Sequence, residues 1–528
     1  MKRLLSNGYF PAELPPPFQS SEYANLLTSN PPTSAPYLTA KDKAPTYVSQ
    51  PTTYNLARAG TLRRVLTIPN PINFYQLASV MDSKWSILEN HYKKSTHALS
   101  RPRRGLHILN NRAFEWSGSF KDIASERSTI RSGMRYSLSV DIKSFYPSIY
   151  THSIAWALHT KVKAQANTGF YDLLANQFDR LIQNSQSKQT KGIPIGPDTS
   201  FLAAEILLAS IDSLIKKNIG KRYFRYLDDY EFCFRTSTEA DAALSIFQEI
   251  LGKFELNANE VKTKIEGLPG PLESPWLRPL RAAGIAGYNS PARQRTDLFD
   301  FFNLSIEMWK QFPQEAVIRY AVTKTCGTQI ALSSWKLYQE LLFQWAMAEP
   351  AVLPMVIDLL LVYKNNGYEI SLSPLEELLT DLVSTHAPRG HTSEVAWALW
   401  AHLLFGISVS SRSSRTVCKL DNSVIALLAL QARKNKLLPA TANVDLWKSK
   451  MTPTELIGEN WLLAYEGRIK KWLPPVATKE YVKTAVGFGY LGSAGVSFYD
   501  ENRIKTYSPR DLKLLALKLT LTKGAGYF

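Results

Sequence analysis

At 528 residues the chain is too long for one ordinary hydrophobic core, so two or three domains are expected. A content of 45% hydrophobic and 20% charged residues is ordinary for a soluble globular protein, and three scattered cysteines (Cys233, Cys326, Cys418) exclude a disulfide framework or a C-x-x-C zinc site. Lysine and arginine outnumber the acids 62 to 45, giving a net charge of +17, a surplus that suits a polyanionic partner or a merely solubilising surface.

Pro11 and Pro15–Pro17 interrupt the N-terminus before any signal-peptide core can form. The longest apolar run, Val395–Val409, is broken by His402 and is too short to span a bilayer. The sequence therefore reads as cytoplasmic, with no membrane partner. Residues 1–55 hold nine of the 30 prolines together with Tyr9, Tyr23, Tyr37, Tyr47 and Tyr54. This composition predicts an extended arm lying on another surface, or a disordered tail. From Ile72 the pattern turns helical and then basic. Ten Lys/Arg against three acids lie between Lys93 and Arg135, densest at Arg101, Arg103 and Arg104. They are either a solvated loop or a clamp for phosphates.

Leu138, Val140 and Ile142 alternate with polar residues and mark a strand with Asp141 near its end; Pro147 breaks it, and a helix is expected from about Ser153. Residues 171–190 are amphipathic. The Gly/Pro loop 191–197 leads into a long apolar helix through Ile215, with Thr199 or Ser200 as its N-cap. Lys221–Phe234 reads as two aromatic strands with Asp228 and Asp229 at the hairpin turn, and a helix follows over Ala240–Phe254. Five prolines and four glycines between Gly267 and Pro291 mark a boundary. Beyond it about eight helices are expected, with capping boxes at Ser373–Glu376 and Thr452–Glu455, forming an α-solenoid or an irregular bundle. The domain reading is an arm (1–55), an α+β unit (56–268), a linker (269–295) and a helical unit (296–528).

Two carboxylates at a tight turn are costly as bare buried charges, and they suit Mg²⁺, a hard ion that prefers oxygen ligands. With Asp141 lying 87 residues earlier as a third acid, two such ions could activate an attacking hydroxyl and stabilise a departing pyrophosphate.

Three strings in order, Asp141-Ile-Lys-Ser-Phe-Tyr-Pro-Ser-Ile, Gly192-Ile-Pro-Ile-Gly-Pro-Asp-Thr-Ser and Tyr226-Leu-Asp-Asp229, resemble consecutive motifs of a reverse-transcriptase palm, and Leu256–Lys264 resembles the next one. With the long helical second half and Ser393-Glu-Val-Ala-Trp-Ala-Leu-Trp400, the combination resembles the bacterial abortive-infection (Abi) polymerases that defend against phage, among them the member of P2-like prophages. That resemblance implies an α+β reverse-transcriptase-like fingers and palm domain followed by an all-α HEAT-like domain. It implies a nucleotidyltransferase making DNA from dNTPs without a template, started on a protein hydroxyl, so that the single-stranded product stays covalently attached. It also implies a homo-oligomer and two Mg²⁺ (or Mn²⁺) per active site. Asp141, Asp228 and Asp229, with the Ile142 carbonyl, would hold the metals. Tyr146 or Phe145 would pack under the sugar and exclude a 2′-hydroxyl, and Lys262 would neutralise or protonate pyrophosphate. Gly196 would admit the base or sugar, Ile195 stands where many reverse transcriptases carry a glutamine, and Arg101 and Arg104 are clamp candidates. A tyrosine of the arm could reach the site as primer, and so could a loop tyrosine or serine elsewhere. Open alternatives are a plain RNA-templated reverse transcriptase and a nucleic-acid-binding scaffold with an inactive palm.

Overall fold

The computed structural model describes residues 1–38, 45–104, 112–119, 122–167, 173–476 and 480–504. The chain opens with two helices, α1 (Lys2–Asn7) and α2 (Ser21–Ser29), where an extended arm was expected. The prolines fall between and after them, which leaves 21–29 free of proline and long enough for two turns. The segment is not a surface arm. Tyr9, Tyr23, Tyr37 and Tyr54 are all buried.

A hairpin follows, β1 (Thr52–Ala57) and β2 (Arg63–Ile68), then α3 (Pro71–Ser83) and α4 (Trp85–Tyr92), and a short ribbon of β3 (Pro102–Arg104) with β4 (Phe114–Trp116). After α5 (Asp122–Arg131) comes β5 (Tyr136–Asp141), then α6 (Phe145–Ser148), α7 (Thr151–His159), α8 (Lys161–Ala166), α9 (Leu174–Asn184) and α10 (Asp198–Asn218). The single turn α6 accommodates Pro147 instead of breaking there, and α7 starts at Thr151, two residues before the expected Ser153. Pro197, not Thr199 or Ser200, precedes α10, and the hydroxyl residues lie inside its first turn.

Strands β6 (Tyr223–Tyr226), β7 (Asp229–Phe234) and β8 (Lys264–Gly267) join β5 in an antiparallel sheet of order β6-β7-β5-β8, with α11 (Ser237–Gly252) between the last two. Alternation decides its two faces. Leu138, Val140, Tyr230 and Phe232 turn into a core with Ile206 of α10 and Phe247 of α11, while Phe224 and Cys233 meet Ile130 of α5 on the other face. On that second face Glu231 is buried and is held by Arg127 and Arg131 of α5, each at 2.7 Å.

Among the described residues no strand follows Gly267. The remainder is helical: α12 (Leu277–Ala282), α13 (Pro291–Gln311), α14 (Val317–Thr325), α15 (Leu332–Ala348), α16 (Leu353–Asn365), α17 (Leu372–His386), α18 (Thr392–Phe405), α19 (Ser411–Val417), α20 (Ser423–Lys434) and shorter helices to residue 504. The capping boxes read from sequence are not formed as expected. Ser371 precedes α17, so Pro374 lies in its first turn, and Thr452 receives the Glu455 N–H at 3.3 Å only to close a single 3₁₀ turn. Leu4, Tyr9, Tyr23, Tyr54, Leu66 and Ile68 share one continuous apolar core with Trp345, Trp400, Trp461 and Phe498, distinct from the core behind the sheet. The β1–β2 hairpin therefore packs with the helical half. No described helix is long and apolar enough to cross a membrane.

Candidate active site

Asp141 is the last residue of β5 and lies directly opposite Asp229, the first residue of β7, while Asp228 occupies the turn between β6 and β7. One carboxylate oxygen from each of the three lies within 4.8 Å of the others. Like charges placed opposite one another on a sheet repel. Burial, then the charges of Asp229 and Asp141, push Asp228 up to about 7. Asp229 stays open to solvent on its outer side, yet the protein around it and Asp141 push it up to about 6. Asp141 is 6% exposed, and its Oδ2 receives Asn259 Nδ2 at 2.9 Å and Lys262 Nζ at 3.0 Å. Burial pulls the Lys262 pKa down, but the bond to Asp141 and the charges of all three acids outweigh it and leave it raised. This crowding of carboxylates against one lysine fits a divalent cation by charge and donor type.

The turn carrying Asp228 is anchored from below. Leu227 has φ of +54°, a left-handed conformation that costs a leucine roughly 1–2 kcal/mol. Both its backbone groups are taken: its N–H donates to Ser100 Oγ at 3.0 Å, and its carbonyl receives Arg225 Nη1 at 2.9 Å. Arg225 is fully buried and pairs with Glu205 at 2.9 Å and Asp212 at 3.0 Å, both from α10. The strained turn is thus set by a buried ionic cluster on the long helix behind the sheet.

Residues 75–280 match the family described as reverse transcriptase (RNA-dependent DNA polymerase). This part of the chain is a reverse-transcriptase domain. Among solved structures, an apo telomerase from Candida tropicalis is 10% identical and is matched over 79% of this chain and 73% of its own, with a TM-score of 0.31. A telomerase from Candida albicans in complex with a fragment of telomeric RNA is 10% identical over 67% and 66%, with a TM-score of 0.28. No curated protein matches the chain.

Within the reverse-transcriptase domain the structure gathers Asp141, Asp228, Asp229 and Lys262, and it ties Ile142 to them through its N–H to the Asp228 carbonyl at 3.2 Å. Phe145 is core, whereas its neighbour Tyr146 is half-buried, so Tyr146 is the better candidate to meet a sugar. Ile195 and Gly196 have other neighbours: the Ile195 carbonyl accepts the Thr67 N–H at 2.8 Å, and a Cβ on Gly196 would stand 2.7 Å from Pro11 Cγ. The close approach that Gly196 permits here, at φ of +127°, is therefore one by the N-terminal segment. Arg104 is occupied by Asp82 at 3.3 Å and lies over the Trp85 ring; Arg101 is half-buried just before β3, its carbonyl accepting the Ser117 N–H.

Three residues escaped the sequence reading. Asn259 holds Asp141 through both its backbone and its side chain. Arg225 anchors the turn. Arg58, at the tip of the β1–β2 hairpin, lies within electrostatic reach of all three aspartates: burial and Arg64 pull its pKa down, and Asp228, Asp141 and Asp229 push it back. Three of the arm tyrosines, Tyr9, Tyr23 and Tyr37, spend their hydroxyls on backbone carbonyls. Tyr9 and Tyr23 donate to the carbonyls of Pro69 and Pro71 at 2.6 Å, Tyr37 to that of Gly487 at 2.9 Å, and burial raises the pKa of each.

A second group with metal-ligand chemistry is His386, His391 and Glu394, away from the sheet. Its carboxylate is already gripped by the Arg63 guanidinium, against which a dication would have to stand.

Proposed function

We propose that the chain is a metal-dependent nucleotidyltransferase that polymerises dNTPs, and that Asp141, Asp228 and Asp229 are its catalytic acids. The observation that carries this reading is the meeting of three carboxylates, from β5, β7 and the β6–β7 turn of a reverse-transcriptase domain, with Asp228 and Asp229 driven upward in pKa by burial and by neighbouring acids. Such repulsion has no structural purpose of its own, and a pair of Mg²⁺ or Mn²⁺ ions held by these acids and the Ile142 carbonyl would relieve it. Bound there, the ions would supply Lewis-acid stabilisation of the attacking and departing oxygens. Arg58 and Lys262 would bind the triphosphate, and Lys262, paired with Asp141, would give a proton to the leaving pyrophosphate. Tyr146 would support the sugar.

The resemblance to abortive-infection polymerases extends this to phage defence, with synthesis that is protein-primed and template-independent, a HEAT-like second half, a homo-oligomeric assembly and a cytoplasmic site of action. Support for untemplated synthesis comes from Ile195, an apolar side chain packed on the N-terminal core where a polar contact to the nucleotide is usual. A templated reverse transcriptase is the second reading, favoured by the family that residues 75–280 match.

The test is incubation of the purified protein with Mg²⁺ or Mn²⁺ and labelled dNTPs, without primer or template, followed by a denaturing gel. Label that remains with the protein and is released by protease supports protein priming, and mass spectrometry then locates the hydroxyl. Incorporation only on an added primer–template selects the templated reading, and none under either condition overturns the enzyme. In whichever assay is active, Tyr146→Val is expected to relax the preference for dNTP over rNTP by about tenfold or more. An unchanged ratio in competition kinetics would remove Tyr146 from that role.

A further inference from the structure

The β1–β2 hairpin is tied to the Gly/Pro loop by the Thr67 N–H to the Ile195 carbonyl at 2.8 Å and carries Arg58 within electrostatic reach of the aspartates, yet what holds the hairpin is the helical half of the chain. In this two-stranded hairpin one edge of β1 faces no strand, so its outward N–H groups need other acceptors. The N–H groups of Asn55 and Ala57 find them in the hydroxyls of Thr392 and Ser393, at 2.5 and 2.9 Å, at the start of α18. At the base of the hairpin Thr52 and Thr53 bond Glu459, and Asn422 Nδ2 reaches the Thr53 carbonyl at 2.8 Å. At the tip, Gly60 lies so close to the Pro313 carbonyl that a Cβ would stand 2.7 Å from it.

In the middle, Arg63 is the joint. Its guanidinium bonds the Asn55 side chain and carbonyl, both at 3.0 Å, and forks onto both oxygens of Glu394, Nη2 at 2.9 Å. Glu394 is 1% exposed on its side chain and is further fixed by the Ser393 hydroxyl at 2.6 Å. A two-point Arg–carboxylate fork sets angle as well as distance. Rotation of the hairpin about its base would break it.

We propose that Glu394 is a positioning residue for nucleotidyl transfer: by holding Arg63 it fixes the hairpin, and with it both Arg58 and the Thr67 contact that holds the Ile195–Gly196 loop. This rests on the polymerase reading above. It makes the helical half part of the nucleotide site, although α18 itself touches none of the three acids in the contacts described.

Steady-state dNTP incorporation by the full-length protein tests it, under the condition in which the wild type is active, with dNTP binding measured alongside in Ca²⁺. Glu394→Gln keeps the volume but loses the charge. It is expected to raise KM for dNTP about tenfold with kcat within about twofold. Arg63→Lys keeps the charge but not the fork, remains partly solvent-exposed at that site, and should act in the same direction even if Glu394→Gln does not fold. The decisive comparison is with Arg58→Ala. If Glu394 acts through Arg58, Glu394→Gln adds no further rise in KM in the Arg58→Ala background, whereas general loosening of the fold would add its effect in full. Additive effects, or an unchanged KM in both Arg63→Lys and folded Glu394→Gln, overturn the inference while leaving the enzyme in place. A wild type that neither incorporates nor binds dNTP overturns the polymerase reading, and this inference with it.

Discussion

Asp228→Asn is expected to abolish dNTP incorporation, by 10³-fold or more, while leaving the metal-free protein at least as stable as the wild type. The two effects have one origin. Asp228 sits where burial and two like charges oppose its ionisation, so its carboxyl is pushed up to about 7. A carboxyl raised in the folded state contributes its full stability below the unfolded pKa and loses it as pH rises through the folded one. Between about pH 4 and 7 the folded, metal-free protein should therefore weaken as pH rises at this site, and asparagine should flatten that slope. At pH 8, differential scanning calorimetry without divalent ions should show the variant melting no lower than the wild type, by roughly 1 °C or more in its favour. Mg²⁺ should raise the wild-type melting temperature and leave that of the variant nearly unmoved. A variant that melts well below the wild type without metal would mean that Asp228 is a structural acid, and the catalytic assignment would fall with it.

Arg225→Met is the most destabilising single change foreseen in the reverse-transcriptase domain. It would leave Glu205 and Asp212 buried at 1% exposure or less on their side chains with their cation gone. Breaking a buried pair in this one-sided way costs about 3–5 kcal/mol. It would also free the carbonyl of Leu227, whose left-handed backbone depends on being held from both sides. Urea unfolding should show the loss directly. The triple variant Arg225→Met, Glu205→Leu, Asp212→Leu separates the two roles. Replacing the whole cluster by apolar residues should recover most of the stability, but activity should stay low because the turn carrying Asp228 has lost its anchor. Full recovery of activity would show that the cluster is only core.

The chemistry-bearing part of the chain was legible because it is local. The alternation of Leu138 and Val140 ends at Asp141, and the aromatic flanks of Asp228 and Asp229 pair in β6 and β7 as the sequence implied. Lys262 could be placed because it follows its motif closely. Arg58 could not. Its proximity to the acids arises from a hairpin reaching across from another core, and nothing near it in sequence is acidic or glycine-rich in a telling pattern. The basic cluster at Arg101–Arg104 drew attention by density alone, while the structure gives Arg104 to Asp82 and Trp85. The N-terminal residues misled for a related reason. Their prolines are real interruptions, but interruption between short helices looks the same in composition as extension throughout. Helix starts were offset for lack of side-chain caps: Asp198, for instance, spends its carboxylate on Arg112 and on the N–H groups of Ala113 and Phe114.

The buried N-terminal tyrosines bear on how such a chain comes to exist. Phe18 bridges Tyr499, the Gln19 N–H bonds the Phe498 carbonyl, and Tyr37 reaches Gly487, 450 residues further along. These residues leave a ribosome long before the partners they bond. Throughout synthesis, the segment with Leu4, Tyr9, Tyr23 and Leu27 has no complete place to pack, and it must wait in contact with water or a chaperone. Meanwhile β5 to β8 lie within one continuous stretch and can close their sheet as soon as that stretch emerges. A nascent chain stalled before Gly487 would carry an assembled β5–β8 sheet beside an adhesive, unfinished N-terminal segment, which makes early termination a hazard of aggregation.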